Sequence, residues 1–141
     1  MTAEVVLDAS IAAKCFFTED GSDDARRLVG SGIALVAPDL IFAEIASVAA
    51  KRVRRGDVSR DLAQAAMDSL GDLIDVVAPT RPLSSRAFQL GADHGLSAYD
   101  GVYLALAELR RTRVVTADVK LIDRASQHGL SHLVARVEDQ C

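Results

Sequence analysis

Four carboxylates stand where a carboxylate is costly or oddly placed: Asp8, Glu44, Asp100 and Asp118. Asp8 ends the apolar run Val5-Val6-Leu7, and Asp118 follows Val114-Val115-Thr116 by two residues, so both leave the carboxyl end of a strand-like segment. Glu44 lies on a helical stretch whose positions 40, 41, 45 and 48 form one apolar arc. At about 100° per residue it falls inside that arc, between Leu40 and Val48. Asp100 occupies the first turn of an otherwise apolar helix running from Val102 to Leu109. A carboxylate on a buried face costs several kcal/mol unless a cation or hydrogen-bond donors receive it. The basic residues of the Glu44 helix, Lys51, Arg52, Arg54 and Arg55, lie at its far end.

Each acid also has an ordinary structural reading. Asp8 and Asp118 suit helix caps, Asp100 closes a capping box with Ser97, and Glu44 could be half of a buried ion pair. Their common placement is what points to chemistry. Carboxylates that converge without basic partners repel one another, and hard divalent cations with oxygen ligands, Mg²⁺ or Mn²⁺, relieve that repulsion. Two such ions held roughly 4 Å apart activate water and stabilise the leaving oxygen in phosphodiester cleavage.

The elements that must position these acids are legible as a pattern. Short apolar runs at 5–7, 33–36, 74–77, 114–116 and 133–135 lack period-2 alternation, as expected for strands buried on both faces. Helical segments fall at 11–17, 23–30, 39–55, 60–70, 82–94, 98–110 and 119–128. Ser59 and Ser97 read as N-caps, and Gly95 and Gly129 as C-terminal stops. Alternating strands and helices imply an α/β fold with a parallel sheet covered on both faces. Ligands of such sheets bind outside the carboxyl ends of the strands.

Bulk properties set bounds. The 141 residues, half of them hydrophobic and 26% charged, suit one globular domain, 1–141. The N-terminus has no basic region, and its apolar run stops at Asp8, so no signal peptide is expected. Glu44 interrupts the longest later apolar stretch, so no membrane span is expected, and the location implied is cytoplasmic. Cys15 and Cys141 are too few for a disulfide framework or a zinc site, and Cys15 reads as a buried small hydrophobe. The net charge of −4 counts mildly against a nucleic-acid binder, but setting the four acids aside leaves 16 residues of each sign.

Four blocks of the chain resemble PIN-domain nucleases, and among them the VapC toxins of bacterial toxin–antitoxin pairs. Val5-Val6-Leu7-Asp8-Ala9-Ser10 resembles the opening strand with its first acid, and Pro38-Asp39-Leu40-Ile41-Phe42-Ala43-Glu44 the helix with the second. Leu96-Ser97-Ala98-Tyr99-Asp100-Gly101-Val102-Tyr103-Leu104-Ala105-Leu106-Ala107 is the most specific block, and Val115-Thr116-Ala117-Asp118 carries the fourth acid. Gly101 stands where small residues such as Ala are usual. The resemblance implies a three-layer α/β/α sandwich on a central, mainly parallel five-stranded sheet. It implies an endoribonuclease dependent on Mg²⁺ or Mn²⁺, with a VapB-type antitoxin partner and a homodimer as building block. Carried over, Asp8, Asp100 and Asp118 are metal ligands, and Glu44 ligates a second ion or positions the attacking water. Ser10 and Thr116 support the carboxylates through hydrogen bonds.

Other readings fit less well. A phosphatase of the haloacid dehalogenase type needs a second Asp two residues after the first, where Ser10 stands. A receiver domain needs an acid after a middle strand, where Ala78-Pro79-Thr80 stands. An inactive PIN-like RNA-binding or scaffold module is the non-enzyme alternative, and loss of a site acid would mark it. Lys51-Arg52-Val53-Arg54-Arg55 and Arg110-Arg111-Thr112-Arg113 read as solvated helix ends rather than RNA grips. Tyr99 and Tyr103 read as core.

Overall fold

Five short strands, every neighbouring pair parallel, form one sheet in the order β3-β2-β1-β4-β5. They are β1 (Glu4–Leu7), β2 (Ala34–Pro38), β3 (Val76–Ala78), β4 (Val114–Thr116) and β5 (Val134–Arg136). The structure is a computed structural model that describes residues 3–140; Cys141 lies outside them. Among the described residues the seven α-helices are α1 (Ala9–Phe16), α2 (Ser22–Val29), α3 (Leu40–Arg54), α4 (Arg60–Leu73), α5 (Ser84–His94), α6 (Ala98–Arg110) and α7 (Val119–Gln127).

Central β1 shows why two layers of helix are needed. Val5 and Leu7 face a core built with Ile11, Leu28, Ile41, Ile45 and Leu70 of α1 to α4. Val6 faces the other way, into a core built with Leu90, Leu104, Leu106 and Leu121 of α5 to α7. Side chains alternate along a strand, so apolar residues at consecutive positions require cover on both faces. The result is the three-layer sandwich. From β1 the chain builds outward through β2 and β3, then returns to the opposite side of β1 for β4 and β5. The order therefore reverses between β1 and β4, the kind of switch point at which open α/β sheets bind ligands.

Several element bounds differ from the sequence reading; α4, for example, runs to Leu73 rather than to 70. β3 begins two residues late, and Val76 and Val77 are 37% and 42% exposed rather than buried on both faces. It is an edge strand, and the Asp75 carboxylate accepts the Leu35 N–H at 2.7 Å in place of a strand carbonyl. The expected helix from Pro82 opens as a 3₁₀ turn, Arg81–Leu83, before α5. α1 starts at Ala9, because Asp8 itself is the cap. The expected N-caps Ser59 and Ser97 are in place, each accepting a backbone N–H, and Gly95 ends α5 at φ 67°.

Gly101 has a consequence for packing. α6 crosses α5 so closely there that a Cβ at Gly101 would lie 2.7 Å from the Ala87 carbonyl oxygen and 3.1 Å from its Cα. Both are backbone atoms, which cannot swing aside as a side-chain tip can. Gly101→Ala gains about 1 kcal/mol of helix propensity but overpacks the crossing, at a cost of about 1–3 kcal/mol. We expect a net destabilisation of about 1 kcal/mol in urea denaturation. A variant as stable as the parent would show that the two helices separate freely.

Candidate active site

Asp8 leaves β1 and caps α1. Its Oδ1 accepts the Ser10 hydroxyl at 2.6 Å and the Ile11 N–H at 3.2 Å. Only 8% of the residue is exposed. Burial pushes its carboxyl up to about 6; the Ser10 and Thr116 hydroxyls and the Ile11 N–H oppose that rise, and the charge of Asp100 adds to it.

Ser10 and Thr116 join the ends of β1 and β4. Their hydroxyl oxygens lie 3.5 Å apart. Ser10 Oγ accepts the Ala117 N–H and Thr116 Oγ1 accepts the Asp118 N–H, each at 3.0 Å. Buried Thr116 therefore holds the backbone that delivers Asp118. Asp118 in turn caps α7, accepting the Lys120 and Leu121 N–H groups at 3.0 and 3.3 Å. It is exposed, so this acid carries no burial cost.

Asp100 lies in the first turn of α6, its N–H donated to Ser97 Oγ at 3.1 Å. It is half-buried, and its carboxyl is raised by burial first and by Asp118 second, with Ser97 and Arg124 opposing. The cap and the site position coexist. Glu44 sits on the flank of the α3 buried stripe, which is Ile41, Ile45 and Ala49, rather than at its centre. Its Oε1 accepts the Tyr103 hydroxyl at 2.7 Å. Burial raises its carboxyl, the Tyr103 hydrogen bond opposes this, and Asp100 adds to it. The ion-pair reading of Glu44 fails, because its partner is a neutral phenol.

One cavity of about 180 Å³ is lined by all four acids together with Ser10 and Tyr103. A larger hollow of about 550 Å³ lies at the far end of α6 beside Arg111, Arg113 and His132. Its one acid, Glu108, is already clamped by Arg86, so size does not select the site. Among the described residues, none of the four acids forms an ion pair with Lys, Arg or His. Nor do three such ligands already close around a single point. The acids ring a cavity rather than form a finished cage. All are hard oxygen donors, three are raised by burial, and two feel Asp100 as a repelling neighbour. That donor set fits a divalent cation.

Tyr103 is the residue that sequence reasoning missed. It is buried as expected, at 3% exposure, but its hydroxyl reaches the acids. Asp100 and Tyr103 are three apart on one helix, hence on one face, and that spacing was the available signal. Tyr99, expected in the core, is 62% exposed and borders an apolar groove with Leu40 and Val48 beside Glu44. Cys15 is half-buried, and burial pushes its thiol up to about 11. Arg52 is not simply solvated: it pairs with Glu19 and lies over the Phe17 ring at 5.2 Å. Lys14, one turn beyond Ser10, donates to the Asp20 carbonyl at 2.6 Å.

The chain has counterparts among known proteins. The PIN domain family profile matches residues 5–127. Ribonuclease VapC3 of Pyrobaculum aerophilum is 31% identical over 123 residues, covering 86% of this chain and 94% of that protein. A crystal structure of a Pyrobaculum aerophilum protein superposes with a TM-score of 0.73 at 20% identity, over 97% of this chain and 85% of that one. A toxin–antitoxin complex from Klebsiella pneumoniae superposes with a TM-score of 0.61 at 17% identity, over 84% and 90%.

The raised Asp8 carboxyl sets a pH dependence for the metal-free protein. Folded Asp8 holds its proton up to about pH 6, against 3.8 for an ordinary Asp. Between those values the native state binds more protons than the unfolded chain, so stability falls as pH rises through the window. The full loss is on the order of 3 kcal/mol above pH 6. Asp8→Asn keeps an acceptor for Ser10 and Ile11 and carries no charge. Denaturant melts in EDTA from pH 4 to pH 7 should show a decline for the parent and a flatter profile for the variant. Parallel profiles would mean that Asp8 is not held in a desolvated site.

Proposed function

The chain belongs to the PIN domain family, alongside the VapC ribonucleases, and from that membership we propose that it is a metal-dependent endoribonuclease, the toxin of a toxin–antitoxin pair. The observation that carries the proposal is the cavity at the β1–β4 switch point, where four acids meet without an ionic partner. The proposal treats residues 1–141 as one nuclease domain acting in the cytoplasm. No described helix is long and apolar enough to cross a membrane.

Asp8, Asp100 and Asp118 are the proposed ligands of Mg²⁺ or Mn²⁺, with Glu44 ligating a second ion or orienting water. Bound there, the metal would supply an activated water and charge stabilisation for the leaving oxygen. The protein's part is to hold the carboxylates still. Ser10 and the Ile11 N–H pin Asp8 through one oxygen, Thr116 holds the turn into Asp118, and Ser97 anchors the turn carrying Asp100. The inactive RNA-binding module remains the second reading only in form, since all four acids are present.

RNA is the proposed substrate, a VapB-type antitoxin the proposed partner, and a homodimer the proposed assembly. An antitoxin that silences this site has an unpaired acid cluster to meet, and a guanidinium offers the bidentate geometry that suits carboxylates.

Cleavage of a mixed RNA substrate should proceed with Mg²⁺ or Mn²⁺ and stop in excess EDTA. Asp8→Asn should lose at least about two orders of magnitude in rate while keeping its circular dichroism spectrum. Undiminished cleavage in EDTA would sink the metal mechanism, and a parental rate in Asp8→Asn would reduce Asp8 to a helix cap. Cross-linking of the complex should place an antitoxin Arg or Lys at the acid cavity; contacts confined to the opposite, amino-terminal edge of the sheet would contradict the proposed mode of inhibition.

A further inference from the structure

Tyr103 has no part in the cleavage scheme above, yet it is the buried polar group closest in kind to a dedicated support. Its ring lies in the core between the sheet and α5 to α7, while its hydroxyl emerges at the acid cavity. That hydroxyl has one proton to give, and Glu44 Oε1 takes it at 2.7 Å. The Ala9 backbone amide, just after Asp8, also faces the Tyr103 hydroxyl and interacts with it electrostatically. Glu44 belongs to α3, packed on the other face of the sheet. The hydrogen bond thus runs over the carboxyl edge of the sheet and ties one helical layer to the other.

Glu44 needs such a tie more than the other acids do. Asp8 and Asp118 are short side chains held by backbone N–H groups of their own caps. Asp100 sits on a turn anchored by Ser97. Glu44 is longer by one rotor and lies mid-helix, where no free N–H is available to it. Asp100 also repels it.

We propose that Tyr103 is a positioning residue: its hydroxyl holds the Glu44 carboxylate at the cavity shared with Asp8, Asp100 and Asp118, set for a divalent cation. The inference rests on the metal-dependent reading of that cavity. Removing a hydrogen-bond support of this kind weakens metal binding by about 10- to 100-fold in comparable sites.

The test is calorimetric titration of Mn²⁺ into the full chain, with thermal melts in EDTA alongside. Tyr103→Phe removes one oxygen and keeps the ring, and its Mn²⁺ Kd should rise about tenfold or more. Val102→Ala, the neighbouring buried position of α6, loses packing without touching a polar group. Its melting temperature should fall while its Kd stays within about twofold of the parent. In a Glu44→Ala background, titrated to millimolar Mn²⁺, Tyr103→Phe should change Kd by no more than about twofold. A Tyr103→Phe Kd equal to the parent's overturns the proposal. So does an equal loss in Val102→Ala, which would make the effect one of packing, or a tenfold loss that survives without Glu44. A parent that binds no Mn²⁺ is a different result: it removes the metal reading itself.

Discussion

A buried carboxylate at the end of the central strand is the constraint around which this molecule is arranged. Asp8 is almost fully removed from water with no cation beside it among the described side chains. Such a group is tolerable only where donors receive it. The first turn of α1 supplies an N–H, and Ser10 supplies a hydroxyl. Thr116 supports it from the neighbouring strand. To bring Thr116 there, β4 must lie next to β1 and end at the same level. The strand order provides that adjacency, and with it the reversal that opens the cavity.

The same contacts that make Asp8 tolerable aim the other acids. Thr116 receives the Asp118 N–H, and Ser10 receives the Ala117 N–H, so the chain leaves β4 along a fixed path. Asp118 then caps α7. Capping and site geometry are therefore one arrangement rather than competing explanations. The acids still raise one another's carboxyls through Asp100 and Asp118, so the site stores unfavourable charge. The two apolar cores on either side of the sheet offset that cost.

α6 concentrates three separate demands within four residues. Asp100 brings charge, Gly101 allows the close crossing at Ala87, and Tyr103 carries a hydroxyl back to Glu44. The helix is buried from Gly101 to Ala107, so Gly101 and Tyr103 are held by tight surroundings, while Asp100 is half-buried at the cavity. A shift at any of the three would be felt at the cavity.

Periodicity and local chemistry in the sequence determined a great deal. Unbroken apolar runs of three or four residues dictate strands covered on both faces, and Ser59, Ser97 and Gly95 mark helix ends through hydrogen bonds and backbone freedom that are local matters. Asp8, Asp100 and Asp118 stood out for the same reason, since each follows a strand or opens a helix. Distant partners were decided only by the tertiary structure. The Glu44 helix alone could not distinguish an ion pair from a phenol donor, because Tyr103 is 59 residues away. Nor could local sequence show that β3 would be an exposed edge, that Tyr99 would face solvent, or that Ala87 would press on Gly101. Strands and caps follow from neighbours along the chain; a cavity needs residues from β1, α3, α6 and the turn after β4 to arrive at one place, and only packing of both helical layers on the sheet brings them there.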